Sequence, residues 1–293
     1  MAFLLPETCS TIKMSGKLYI VGTPIGNLDD MSIRALRILK EVDLIAAEDT
    51  RHSIKLLNHF EIHKKMVAYH QHNEQQSSEG LIDLMKQGQN IALISDAGMP
   101  LISDPGSVLV KNCVAQDIAM EVVPGPNAGL CGLVLSGLDT RQFLFLGFLG
   151  KENKAINEGL KRIKESEVTA VLYESPHRLT KTIDILINND LGHRRMSISR
   201  EITKRFEESR YGTIKEHHAY YTDHTPRGEY VLCIEGRTPE EGTPGQNLDL
   251  NAMGLEEHLA VYISDGMPEK EAMKQVAKDR GLSKRDVYNA IKR

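Results

Sequence analysis

Short apolar runs alternate with stretches of helical spacing along the first 123 residues, and this alternation constrains the fold more than any other feature of the chain. Residues 17–22 (KLYIVG), 44–47, 66–69, 91–95 and 119–123 read as strands. Between them, residues 32–39 space Ile33, Leu36 and Leu39 three apart, and residues 52–59, 78–86 and 107–113 also read as helices. Strands separated by helices join through crossovers rather than hairpins. The expectation is a mainly parallel sheet covered on both faces.

The pattern restarts after Asp139. Residues 143–148, 168–173, 197–199 and 230–234 read as strands, with helices at 151–164 and 179–188. The fold class is α/β, with one domain over residues 16–139 and a second over 140–236. Residues 236–254 hold four glycines and two prolines among few apolar side chains, so 237–254 read as a linker. Residues 255–293 then form a small helical module. Met14 stands just before the first strand, and residues 1–15 read as an N-terminal extension.

Composition narrows the function. A net charge of −4 excludes non-specific nucleic-acid or membrane binding by the whole surface, so any RNA contact must be local. No stretch approaches the roughly 20 apolar residues of a membrane span. The four cysteines, Cys9, Cys113, Cys131 and Cys233, form no C-x-x-C pair and read as reduced thiols of a cytoplasmic protein. No metal-ligand spacing is present, and no metal requirement is expected.

Three strand ends carry chemistry. VGTPIGN (21–27) is a glycine-containing turn that lacks both the Gly-Lys-Ser/Thr ending of a Walker loop and the three glycines of a dinucleotide fingerprint. ALISDAGMPLISDPG (92–106) runs from an apolar strand into a loop dense in small residues, and VVPGPNA (122–128) is again strand, sharp turn, helix. In open α/β sheets ligands bind beyond the carboxyl ends of strands, where a glycine-rich loop lets them approach the backbone. Ordinary turns are the plain alternative for each loop alone. Together they point to one shared ligand.

These motifs, with AAEDTR (46–51), YESPHR (173–178) and REITKRFEE (200–208), resemble the tetrapyrrole methylase superfamily over roughly residues 17–236, and within it the ribosomal RNA small-subunit methyltransferase I branch. That resemblance implies two α/β domains with S-adenosylmethionine between them, a homodimer, and 2′-O-methylation of a cytidine ribose in the decoding region of 16S ribosomal RNA. The partner is then 16S RNA or the small ribosomal subunit. The loops depart from the G-x-G-P-G-D and Gly-Gly-Asp patterns of the wider superfamily, which counts against a tetrapyrrole substrate.

Carried over motif by motif, the resemblance implies that Ile25, Ala97, Gly98, Met99, Ile102, Asn127 and Ala128 line the cofactor from the first domain, with Glu174 and Thr203 from the second. A ribose hydroxyl is a weak nucleophile, so a base or an electrostatic partner is needed. Glu48, Asp49, Glu174, Glu201 and Lys204 are the candidates at strand ends, and the sequence leaves the choice among them open. Arg51, Arg178 and Arg200 suit phosphate positioning, because guanidinium matches phosphate bidentately.

In the tail, Pro268 suits a helix start, Gly281 a stop, and Ser283 with Asp286 a capping box. Residues 268–293 carry +4, against −8 for the remainder. A basic unit behind a linker fits an RNA-binding appendage, with Lys284 and Arg285 on it. A small-molecule methylase would not need that appendage. The third reading, a non-catalytic RNA-binding or ribosome-assembly protein, would not bind the cofactor.

Overall fold

The computed structural model describes residues 15–71, 73–238, 254–264 and 267–291. All but the last residue of the expected extension, Cys9 among them, and most of the expected linker lie outside them, as does the side chain of Lys284. Two compact units divide the chain, Met1–Gly236 and Arg237–Arg293.

The first sheet is formed by β1 (Leu18–Val21), β2 (Leu44–Ala47), β3 (Met66–Ala68), β4 (Ile91–Ile94) and β5 (Met120–Val123), in the order β3-β2-β4-β1-β5 and parallel throughout. Strand periodicity splits its side chains between two cores. On one face Leu18, Leu44, Ala46, Ile91 and Leu93 pack against α3 (Glu74–Lys86) and α4 (Ser107–Ala115). On the other, Val21, Ile45, Ala47, Ala92 and Ile94 meet α1 (Ile33–Glu41) and α2 (Thr50–His59). Burial on both faces is why these strands read as continuous apolar runs.

α5 (Ala128–Leu135) leaves β5 and packs on the second sheet, which joins the halves of this unit. A Cβ on Gly132 would lie 2.5 Å from Val231, so only glycine permits this approach. The second sheet has the order β6-β7-β10-β8-β9, from β6 (Phe143–Phe148), β7 (Thr169–Glu174), β8 (Arg195–Arg200), β9 (Glu208–Thr213) and β10 (Tyr230–Ile234). Only its β6–β7 pair is parallel. Its other face buries Leu172, Met196, Ile198 and Leu232 beneath α6 (Asn153–Glu165), α7 (Leu179–Ile187) and α8 (Ile214–Asp223).

β9 and α8 do not stand out in the sequence. β9 (ESRYGT) is polar because it is an edge strand, paired with β8 alone. α8 begins with a capping box in which Thr213 and Glu216 satisfy each other's backbone amides.

The second unit packs α9 (Leu255–Ser264), α10 (Glu269–Asp279) and α11 (Lys284–Ile291) around Leu259, Ala272, Val276, Ala277 and Val287. Pro268 is the cap of α10 rather than its first helical residue, and Gly281 takes φ +63° just beyond its end. The Ser283 hydroxyl accepts from the Asp286 amide at 3.2 Å, starting α11. No helix among the described residues is long and apolar enough to cross a membrane.

Candidate cofactor and active site

β4, β1 and β5 lie side by side, so their carboxyl-end loops converge. Thr23 and Gly98 form a two-bond bridge, with Thr23 N donating to the Gly98 carbonyl at 2.8 Å and Gly98 N to that of Thr23 at 3.1 Å. Gly125 N donates to Met99 Sδ at 3.3 Å, tying the second loop to the third. From α3, Glu74 Oε1 accepts from Gly106 N (2.8 Å) and Val108 N (3.1 Å) and holds the far end of the second loop. A ligand therefore meets three loops already locked to one another.

Across from them stand β7, β10 and the loop after β8. A cleft of about 280 Å³ separates the two sides, near the low end of the roughly 300–1,000 Å³ of small-ligand sites. Ile25, Ala97, Gly98, Met99, Ile102, Asn127 and Ala128 line it from the first side, and Glu174, Ser175, Glu201, Ile202, Lys204 and Glu229 from the second. Phe148 and Tyr173 close one wall, their rings edge to face at 5.7 Å. The Tyr173 hydroxyl accepts from Gly129 N at 3.0 Å, in the first turn of α5.

Backbone strain gathers here. Leu101, Ser103, Glu201 and Thr203 all have φ between +50° and +72° although none is glycine. Such conformations cost of order 1–3 kcal/mol each and persist where the surroundings impose them.

Of the nine residues expected on the cofactor, eight line the cleft. Thr203 does not. Its hydroxyl is buried without a hydrogen-bond partner among the described residues and faces the Gly26 turn, 3.1 Å from where a Cβ on that glycine would lie.

The five candidate acid-base groups separate by geometry. Glu174 is 2 % exposed and its carboxylate is committed to its own turn. Oε1 accepts from Ser175 N at 2.8 Å, Oε2 from the Thr182 hydroxyl at 2.6 Å, and Arg178 Nε stands 3.8 Å away. It fixes the start of α7. Glu174→Ala should lower unfolding stability by roughly 2–4 kcal/mol, because two buried donors lose a charged acceptor. A urea midpoint equal to wild type would contradict this role.

Asp49 caps α2 and grips the exposed Arg51 through two contacts of 2.7 and 3.1 Å, which holds its carboxyl well below the usual range. Glu48 is shifted up by burial and by Asp96. Neither lines the cleft. Glu201 and Lys204 do, and Lys204 Nζ lies 2.9 Å from Glu201 Oε1 and 2.8 Å from Glu229 Oε2. Burial pulls the Lys204 pKa down, but the two carboxylates outweigh it and the net shift is upward. The ammonium is thus a fixed positive charge on the cleft rather than a base.

Sequence reasoning passed over Asp104, which lines the cleft from the same glycine-rich loop. Burial, then the neighbouring Glu48 and Asp96 charges, push its carboxyl up to about 6 against the pull of a Ser95 hydrogen bond. A carboxylate with that pKa can take a proton near neutral pH.

The arginines are less free than their sequence positions suggest. Arg178 donates to the Leu149 and Gly150 carbonyls at 2.8 and 3.0 Å, and Arg200 Nε lies 3.0 Å from Glu208. Arg51, although paired with Asp49, has an 89 % exposed side chain, and Arg285 is exposed on α11.

The cleft suits S-adenosylmethionine on its own features. Ile25, Met99 and Ile102 offer an apolar surface for a purine, while backbone polar groups and carboxylates favour an amino acid and a sulfonium cation. A Cβ on Gly98 would stand 3.2 Å from Ile25, so the bare backbone at this position keeps the cleft open.

Comparison with known proteins agrees with this architecture. Residues 17–217 match the Tetrapyrrole (Corrin/Porphyrin) Methylases. The chain is 46% identical over 274 residues to "Ribosomal RNA small subunit methyltransferase I" of Halalkalibacterium halodurans, covering 94% of each protein. It is 44% identical over 277 residues to the Bacillus subtilis protein of the same name, again covering 94% of each. Among solved structures, diphthine synthase superposes with a TM-score of 0.58 at 14% identity, over 76% of this chain and 91% of that one. Uroporphyrin-III-C-methyltransferase from Thermus thermophilus gives 0.54 at 18%, over 75% and 94%. These two show the fold alone. The chain belongs to the tetrapyrrole methylase family, within which it groups with the proteins named ribosomal RNA small subunit methyltransferase I.

Proposed function

We propose that this methyltransferase uses S-adenosylmethionine to methylate the 2′-hydroxyl of a cytidine in the decoding region of 16S ribosomal RNA. The observation that carries the reading is 46% identity over 94% of the chain to a protein named ribosomal RNA small subunit methyltransferase I, and the cleft supports it by providing both an apolar wall and fixed charges. When bound, S-adenosylmethionine supplies an electrophilic methyl group on a sulfonium sulfur. The three locked loops hold the cofactor, and the Phe148 and Tyr173 rings exclude water. Asp104 would take the proton that the ribose hydroxyl loses as the methyl group passes to its oxygen and the sulfonium leaves as a neutral thioether, and the Lys204 ammonium would favour the negative charge that develops on that oxygen. Alignment of donor and acceptor contributes the rest.

The second unit belongs to the same reading as an RNA-binding appendage, since residues 268–293 carry a net +4 against −8 for the rest of the chain. A homodimer belongs to it too, for Leu130 and Val134 of α5 are 50% and 77% exposed and offer an apolar face.

A chain ending at Gly236 should bind S-adenosylmethionine as the full chain does but transfer methyl to small ribosomal subunits at least tenfold more slowly. The full chain's affinity for subunits should fall steeply with salt. Equal transfer by both chains at physiological salt would reduce the appendage to a solvated cap.

A further inference from the structure

Behind Tyr230, whose ring is buried and borders the cleft, lies a second hollow of about 340 Å³. It is walled by β8, β9, α8 and the segment leading to β10. One of its walls is a stack. The Arg210 guanidinium carbon sits 3.4 Å from the centre of the Tyr220 ring, and the His224 ring lies 3.9 Å from it at an interplanar angle of 9°. Two groups this close must occupy opposite faces, so Tyr220 is sandwiched. His224 ends the stack and is exposed, with its Nδ1 held 2.8 Å from the Tyr220 carbonyl.

The charges around the hollow are unevenly matched. Arg200 and Arg210 share Glu208, at 3.0 and 3.5 Å. Arg227 is exposed and makes no ion pair among the described residues, while its backbone amide donates to the Tyr230 hydroxyl at 2.9 Å. Asp223, also exposed, is the remaining acid of the wall. The result is a preassembled aromatic ledge with a guanidinium beside it, next to the cleft where the methyl acceptor must enter.

We propose that this hollow holds an unpaired nucleotide flanking the methylated one, its base stacked on His224 and its phosphate on Arg227. The inference rests on the reading of RNA as the acceptor. Single-stranded RNA is bound by this combination of exposed aromatic rings and guanidinium groups, because every base offers a π-face and every nucleotide a phosphate. Neither group belongs to the cofactor cleft. Their loss should weaken RNA binding without touching the methyl donor.

The test uses the full chain with small ribosomal subunits that lack the modification. His224→Ala should raise KM for subunits about tenfold, which corresponds to roughly 1.4 kcal/mol, with kcat and S-adenosylmethionine affinity unchanged. Arg227→Gln should raise KM similarly and lower the slope of log affinity against log salt by about 0.7, the value for one phosphate contact to a single strand. His224→Phe keeps a stacking face and should recover most of the wild-type KM. Unchanged KM in both His224→Ala and Arg227→Gln overturns the assignment, as does a His224→Phe protein as impaired as His224→Ala, which would make the imidazole a helix cap only. A wild-type protein that transfers no methyl to these subunits overturns the RNA reading and this inference together.

Discussion

Asp104→Asn should slow methyl transfer by about 10²- to 10⁴-fold, the usual contribution of a general base, while S-adenosylmethionine still binds. The amide matches the carboxyl in shape but cannot accept the hydroxyl proton. In wild type the rate should fall as pH drops through about 6, where the carboxyl becomes protonated. Folding supplies a control. The Asp104 pKa is raised in the folded state from an ordinary 3.8 to about 6, so the folded protein favours the neutral acid, and stability declines as pH rises through that window. At pH 8 the Asn variant should therefore melt no lower than wild type. An Asp104→Asn protein with wild-type rate at pH 7.5 would remove this residue from the chemistry and leave Glu201, held below the usual carboxylate range chiefly by Lys204 against the effect of burial, as the carboxylate to test.

The second large effect is expected at Gly98. Its φ of +83° is one that a β-branched residue scarcely adopts, and a new Cβ would press on Ile25 at 3.2 Å and the Pro126 carbonyl at 3.4 Å. Gly98→Val must therefore shift a loop whose backbone is bonded to Thr23 in both directions. S-adenosylmethionine affinity should fall at least a hundredfold by calorimetry. Gly137→Ala is the matching control. It also replaces a glycine of positive φ (+68°), but in open space and off the cleft wall, so its cofactor affinity should equal that of wild type. Unaltered affinity in Gly98→Val would show that the second loop does not hold the cofactor.

These expectations separate what a one-dimensional reading can reach from what it cannot. The first sheet is legible because its inner strands β1, β2 and β4 are buried on both faces and every strand is followed by a helix, so the strands stand out as short apolar runs between helical stretches. The loop residues of the cleft are legible for a related reason: strand ends that finish in Gly, Pro, Asp and Asn have few packing duties. β9 escapes notice because an edge strand with partly exposed residues shows no apolar run, although the Thr213–Glu216 capping box offers a usable signal for the helix after it.

Side-chain direction is harder to read. Glu174 ends β7 and Glu201 follows β8 directly, yet the Glu174 carboxylate turns to its own helix while Glu201 pairs with Lys204 on the cleft. Nothing in their sequence neighbourhoods distinguishes them. Asp104 is hidden for the opposite reason. Its raised pKa comes first from burial and then from Glu48 and Asp96, and neither the burial nor the approach of Glu48, which needs β2 and β4 to pair, is visible in the chain. Likewise the Arg210, Tyr220 and His224 stack joins β9 to α8, two elements that the alternation of apolar runs does not reveal.

Delivery of a methyl group from the cleft to one ribose oxygen of small-subunit RNA, as proposed, can be tested directly. Purified protein can be incubated with S-adenosylmethionine carrying a labelled methyl group and with small ribosomal subunits from cells lacking the enzyme, and the modified nucleotide then identified by nuclease digestion and mass spectrometry. The expected product is one labelled nucleoside, a cytidine from the decoding region of 16S RNA, with the label on the ribose and resistant to alkaline cleavage at that position. Label on a base, label spread over many sites, or transfer only to a porphyrin-like small molecule would contradict it.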